Sequence, residues 1–236
     1  MPGSPEPPAP SPPPEPLPSA TVALIRDGSA ELEILLLERR PRPGASPKKS
    51  PLVFPGGKVE TADSGPDRDD ELARARRAAV RETREEAGLQ LSADELLPIS
   101  RWITPAISPK RFDTWFFLAS VESHHDVVVD GSEIGAHCWM APVRALELQR
   151  TGELSLAPPT FVTVHWLAEY ARCESAFRAL AEAPFLTFRP RITTAGEGPC
   201  ILYPGDAGYA TGDPHAPGPR HRLWMAARPW RYERAP

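Results

Sequence analysis

Apolar and polar positions along the chain change period several times, and each change marks an element. Residues 20–26 and 32–38 are short apolar runs with β-branched content. They flank Asp27-Gly28-Ser29, a pattern that predicts a β-hairpin. Residues 41–51 lose the apolar pattern to proline, lysine and serine and read as a loop. A brief strand at 52–54 then enters Gly56-Gly57, a turn able to approach a ligand closely. The polar stretch 61–70 is a second loop. From Asp70 to Ala87 the period becomes helical, with Ala79, Val80, Thr83 and Ala87 as an apolar stripe and Gly88 as the stop. Further strands are expected at 99–103, 114–121 and 134–140. Helices are expected at 142–149, 158–170 and 174–183, the first two opened by proline. Residues 184–236 are rich in Pro, Gly, Arg and Trp, and show short strands only near 200–203 and 223–226.

Composition changes this picture at the N-terminus. Ten of the first 18 residues are proline, so residues 1–18 read as an extended, mobile arm without the apolar content to join a core. Order is expected to begin near Ser19, giving a domain over 19–183 and an extension, 184–236, packed on it. A net charge of -4 over 236 residues gives no electrostatic footprint for bulk nucleic acid. The three cysteines are far apart and odd in number, which suggests a reducing compartment and no disulfide framework. No apolar run approaches the ~20 residues of a membrane helix, and the N-terminus lacks the marks of a secretory or mitochondrial leader. The expectation is a cytoplasmic protein with no membrane partner; a homodimer is left open.

Candidate chemistry concentrates on the helix. Glu82, Glu85 and Glu86 stand at i, i+3 and i+4, where one helix face gathers them. Like charges at that spacing cost roughly 0.2–0.5 kcal/mol per pair, and a cation reverses the sign. A hard ion such as Mg²⁺ takes carboxylate oxygens and keeps waters for a phosphate substrate. A Gly-Gly turn followed by Arg-Glu-x-x-Glu-Glu-x-Gly therefore points to metal-assisted chemistry on a diphosphate.

The run from Gly57 to Leu89 resembles the Nudix box, Gly-x5-Glu-x7-Arg-Glu-U-x-Glu-Glu-x-Gly-U with U aliphatic. Its second half stands as Arg81, Glu82, Thr83, Glu85, Glu86, Gly88 and Leu89, with Thr83 at an aliphatic position. In the first half, Asp63 replaces the glutamate. Seventeen residues separate it from Arg81, about ten more than usual, which a surface loop absorbs at small entropic cost. A box with such an insertion is similar to the Nudix subgroup that includes peroxisomal coenzyme A diphosphatases. So are Phe54-Pro-Gly-Gly, Trp102-Ile-Thr-Pro, Arg111-Phe-Asp-Thr and Pro158-Pro-Thr, whereas Ser50-Pro-Leu-Val stands where a His-x-Gly-Gln-Val run is usual.

The resemblance implies an α/β fold, an α/β/α sandwich with a mixed sheet, and Mg²⁺- or Mn²⁺-dependent diphosphate hydrolysis. It implies metal ligands at Glu82, Glu85, Glu86 and Gly57. Catalytic positions fall on Glu82, Glu85, Arg81 and Glu133, with Arg81 bracing the glutamates and Glu133 as the downstream acid. Glu60 or Asp63 would stand in for the missing box glutamate. Lys110, Arg111 and Phe112 form a basic-aromatic cluster suited to a phosphate and an adenine ring. The expected partner is a small nucleoside diphosphate derivative, with coenzyme A or acyl-coenzyme A ahead of ADP-ribose, dinucleotides and nucleoside triphosphates. The rival expectation is a ligand-sensing module that keeps the fold without turnover. His124-His125 reads as solvated loop, and Trp102, Trp115, Trp139 and Trp166 mostly as core.

Overall fold

The computed structural model describes residues 12–40, 51–65, 70–122, 125–129, 131–225 and 229–235. His124, residues 1–11 of the expected arm and residues 41–50 of the expected 41–51 loop therefore lie outside the described residues. The chain begins with the hairpin β1 (Leu17–Asp27) and β2 (Leu32–Arg39), followed by β3 (Leu52–Val53) and β4 (Gly56–Lys58). Helix α1 (Glu71–Ala87) leads to β5 (Leu97–Ile103), β6 (Phe112–Ser120) and β7 (Ile134–Met140). Then come α2 (Pro142–Thr151), α3 (Pro158–Leu167), α4 (Cys173–Glu182) and β8 (Leu186–Phe188). These strands form one mixed sheet in the order β3-β2-β1-β6-β5-β8, with β4 pairing β1 and β7 pairing β2. β1 runs parallel to β6 and β5 parallel to β8.

Helices cover both faces of this sheet, so its central strands are apolar on both sides and read as unbroken runs. Along β1, Ala20, Val22 and Leu24 face α1, while Ala23 and Ile25 face the core shared with α2, α3 and α4. Helix α1 starts where Asp70 accepts a hydrogen bond from Ala73 N (2.7 Å) and stops at Gly88 in the left-handed region (φ 70°). Its docked side differs from the expected stripe. Ala75, Ala78, Ala79, Thr83, Glu86 and Ala87 are buried, and Val80 is only partly so. The alanines let the helix backbone settle close to the sheet, and that rotation carries Glu86 inward.

The N-terminal boundary also moves. β1 begins at Leu17, whose N–H donates to Arg111 O (3.0 Å), and Arg111 Nη1 donates to Pro14 O (2.9 Å). Residues 14–18 thus belong to the folded chain: proline lacks an N–H but keeps its carbonyl, and Pro14 O and Pro18 O accept from Arg111 Nη1 and Val59 N. Deleting residues 1–18 is expected to lower the melting temperature by about 4–8 °C. An unchanged scanning-calorimetry transition would contradict this packing.

The C-terminal segment forms a second sheet of β9 (Arg191–Ala195), β10 (Gly198–Leu202), β11 (Arg220–Trp224) and β12 (Arg231–Ala235), in the order β12-β11-β10-β9. One face, with Ile201, Tyr203 and Leu223, joins the main core. There Trp102 stacks on Phe188 with ring centroids 3.8 Å apart, and Tyr203 meets Trp102 edge-on at 5.6 Å. Inside this sheet the buried Asp206 takes a bidentate pair from Arg222 at 2.6 and 2.7 Å. Among the described residues no helix is long and apolar enough to cross a membrane.

Candidate active site

A cavity of about 1210 Å³ opens along α1, β4 and the ends of β1, β5 and β6. Glu60, Arg81, Glu82, Glu85, Glu86 and Glu133 all line it. Gly56 and Gly57 build its floor as strand β4, a paired element where the sequence suggested a flexible turn. Their lack of side chains is required twice over. A Cβ on Gly56 would come within 2.6 Å of Thr21 Cα, and one on Gly57 would overlap the Glu82 carboxylate. The glycines therefore bring backbone and carboxylate into direct contact.

Arg81 organises the acids. Its Nη1 donates to Glu82 (2.9 Å) and Glu85 (3.1 Å), its Nη2 to Lys58 O (2.9 Å), and Nε and Nη2 together hold Asp63 (3.0 and 3.1 Å). Asp63 is buried; burial alone would raise its carboxyl, but hydrogen bonds from Arg81 and Glu60 N outweigh that and hold it below its usual value. Asp63 thus serves as Arg81's anchor. Its shorter side chain is compensated by the 3-10 turn Thr61–Asp63, which carries it toward the helix. Glu60 lines the cavity beside it.

The three helix glutamates are not equivalent. Glu85 is half exposed, Glu82 mostly buried and Glu86 almost fully so. Burial raises Glu82, with the charges of Glu85 and Glu60 adding to it against Arg81. Burial pushes Glu86 up to about 7 even though Gly56 N donates to it at 2.8 Å, and the charges of Glu82 and Glu133 act in the same direction. Arg39, absent from the sequence reading, partly offsets this: its Nη2 reaches Glu86 Oε1 (3.4 Å) and Gly56 O (3.1 Å). Its Nε is buried with no partner among the described residues. The sequence signal for it was the Arg39-Arg40 pair that ends the Leu-Leu-Leu-Glu run.

Lys110 and Phe112 line the cavity, with the ammonium 5.1 Å from the ring centroid. Arg111 does not. Just ahead of β6, its guanidinium is spent on Thr104 O (3.1 Å) and Pro14 O, away from the cavity that Lys110 and Phe112 line. Arg111→Ala is accordingly expected to cost about 1–2 kcal/mol of stability and to change KM for coenzyme A and its 3′-dephosphorylated form equally. A selective loss for coenzyme A would return Arg111 to the cleft.

The donor set fits a hard divalent ion. Carboxylate groups of Glu82, Glu85 and Glu86 line one wall, and burial raises two of them above their ordinary pKa despite the arginines beside them. Among the described residues no three His, Cys, Asp or Glu side chains already form a metal cage. Mg²⁺ does not need one, since it binds through one or two carboxylates and keeps waters.

The sequence pattern of the NUDIX domain matches residues 16–158. The chain belongs to the NUDIX family. Over 115 residues it is 31% identical to acyl-coenzyme A diphosphatase NUDT19 of Homo sapiens, covering 47% of this chain and 31% of that protein. For the Xenopus laevis protein of the same name the identity is 27% over 131 residues, 52% of this chain and 34% of that one. The chain therefore spans about a third of the length of these curated relatives. A solved NUDIX hydrolase from Alicyclobacillus acidocaldarius shares the fold at a TM-score of 0.61 and 24% identity, covering 72% of this chain and 99% of that one. Thr83 is a mismatch within the box beside Asp63: it is fully buried and its Oγ1 has no partner among the described residues. Thr83→Val should stabilise the domain by about 1 kcal/mol, readable in urea denaturation; a loss of stability would mean the hydroxyl is satisfied.

Proposed function

We propose that this protein hydrolyses the diphosphate bond of a nucleoside diphosphate derivative, with coenzyme A or an acyl-coenzyme A as favoured substrate. The observation that carries the reading is the wall of three helix glutamates beside the side-chain-free backbone of Gly56 and Gly57, Glu82 and Glu85 held by Arg81 and Glu86 by Gly56 N and Arg39. Glu82, Glu85 and Glu86, with the Gly57 carbonyl, would hold Mg²⁺ or Mn²⁺. Such an ion, when bound, lowers the pKa of a coordinated water and neutralises the charge of the diphosphate. Arg81 orients Glu82 and Glu85 through charge-assisted hydrogen bonds and stays out of contact with substrate. Glu133, close enough to raise the Glu86 carboxyl, is suited to accept the proton of the attacking water. Lys110 offers a point charge to a phosphate and Phe112 a face to adenine.

The names of the matched relatives support coenzyme A as the substrate class, and a cytoplasmic site of action remains part of the proposal. A panel of coenzyme A, acyl-coenzyme A, ADP-ribose, diadenosine polyphosphates and nucleoside triphosphates, with product chromatography in Mg²⁺, tests it. Adenosine 3′,5′-bisphosphate released fastest from the coenzyme A compounds is the expected result. Faster cleavage of ADP-ribose or a dinucleotide would move the substrate, and no cleavage of any would leave a binding module.

A further inference from the structure

The cavity continues well past the carboxylates, and its far end carries an apolar strip beside the polar Thr104, Ser108 and Lys110. Its volume of about 1210 Å³ exceeds the roughly 300–1,000 Å³ of common small-ligand pockets. Arg39 and Glu133 lie at the flank of β2 and β7, while Ile103 and Pro190 lie at the opposite flank, by β5 and β8. Beyond that second flank the wall is Ile192 of β9 and Ile201 of β10. The two are direct partners in the β9–β10 register, so their side chains leave the same face of the second sheet. Ile201 is buried in the main core, whereas Ile192 is left 47% exposed at the cavity wall. Cys200 and Leu202, on either side of Ile201, face the other way and pack with Trp224. A β-branched apolar side chain kept in the wall of a cavity, with a core available beside it, is an unfilled apolar contact. Pro190, Ile192 and Ile201 also lie outside residues 16–158, so this wall belongs to the chain's own C-terminal sheet and not to the matched family segment.

We infer that this apolar strip is a subsite for a hydrocarbon chain carried by the diphosphate substrate, with Ile192 as its selecting residue. The inference rests on the reading that the acidic end holds the diphosphate. One cavity then takes a ligand that is anionic at one end and apolar at the other. Each methylene drawn from water onto such a wall raises affinity roughly fourfold.

Calorimetric titration of the full chain with coenzyme A and with decanoyl-coenzyme A, below its micelle concentration and with Ca²⁺ in place of Mg²⁺, reads the subsite directly. The wild type is expected to bind the acylated ligand at least ~30-fold more tightly. Ile192→Asp should cut that ratio about tenfold or more and Ile192→Leu should keep it. Ile192 lies outside the buried core, so neither change threatens folding. Equal affinities in the wild type, a ratio untouched by Ile192→Asp, or no binding of either ligand would overturn the inference. Turnover of coenzyme A in Mg²⁺ reports separately on the hydrolytic reading. Cleavage with a ratio of one removes the subsite alone; a maintained ratio without cleavage removes hydrolysis and upholds the subsite.

Discussion

Arg222→Met is expected to destabilise the protein by about 3–5 kcal/mol and to lower its melting temperature by about 10 °C or more. Arg222 and Asp206 are both almost fully excluded from solvent, and the pair is bidentate. Arg222 Nη1 also donates to Pro214 O, while Asp206 accepts from Gly208 N and His221 N, each at 2.8 Å. Removing the guanidinium strands a carboxylate inside the second sheet, next to the core that Ile201, Tyr203 and Leu223 share with Trp102. Burial pulls the Asp206 carboxyl upward, but the Arg222 hydrogen bonds and charge and the two backbone donors hold it below its ordinary value. A depressed carboxylate contributes stability that is present above its unfolded pKa and is lost as pH falls through the folded one. The gap between wild type and variant should therefore narrow below about pH 4. A double variant, Asp206→Leu with Arg222→Met, should recover part of the loss. A gap independent of pH would show that packing, not the ion pair, carries the effect.

Glu86→Gln is expected to abolish turnover by orders of magnitude and yet to stabilise the metal-free protein at neutral and alkaline pH. The two effects have one origin. Glu86 is buried against Gly56 N, and burial raises its carboxyl to about 7. A raised carboxyl contributes stability fully present below its unfolded value of 4.5 and lost as pH rises through 7. Above that point the ionised group costs about 3 kcal/mol, which the amide removes while still accepting from Gly56 N. Divalent ion should erase the difference by stabilising only the wild type. Denaturant titrations at pH 5 and pH 8, with and without Mg²⁺, measure all four states. Equal stability of variant and wild type at pH 8 in chelator would mean that Glu86 carries no uncompensated charge.

The parts of the fold legible in the sequence were those where one period repeats. The helix from Asp70 to Ala87 was marked by its glycine stop and its spacing, and α2 and α3 by proline at their starts. The strands β4, β8, β9 and β12 were missed. At three to five residues, Gly-Gly-Lys, Leu-Thr-Phe, Arg-Ile-Thr-Thr-Ala and Arg-Tyr-Glu-Arg-Ala are too short to show a period of their own, and pairing with neighbouring strands decides them. The acids of the site were legible as a motif, but their inequality was not. Which glutamate faces inward depends on how α1 rolls on the sheet: Ala79, Thr83 and Ala87 of the expected stripe stay buried, and a roll of less than one position leaves Val80 at the edge and takes Glu86 in. Arg111 and Arg39 exchanged roles for a similar reason: the direction in which each side chain leaves the backbone decides which guanidinium meets the cleft.

Coenzyme A hydrolysis in water labelled with heavy oxygen, followed in Mg²⁺ and in chelator, tests the central claim most directly. The site geometry calls for cleavage in Mg²⁺ that places one labelled oxygen on a single product, with no cleavage in chelator and none by Glu86→Gln. Unabated cleavage in chelator, or cleavage by Glu86→Gln at the wild-type rate, would contradict the assignment of the α1 glutamates as the centre of the reaction.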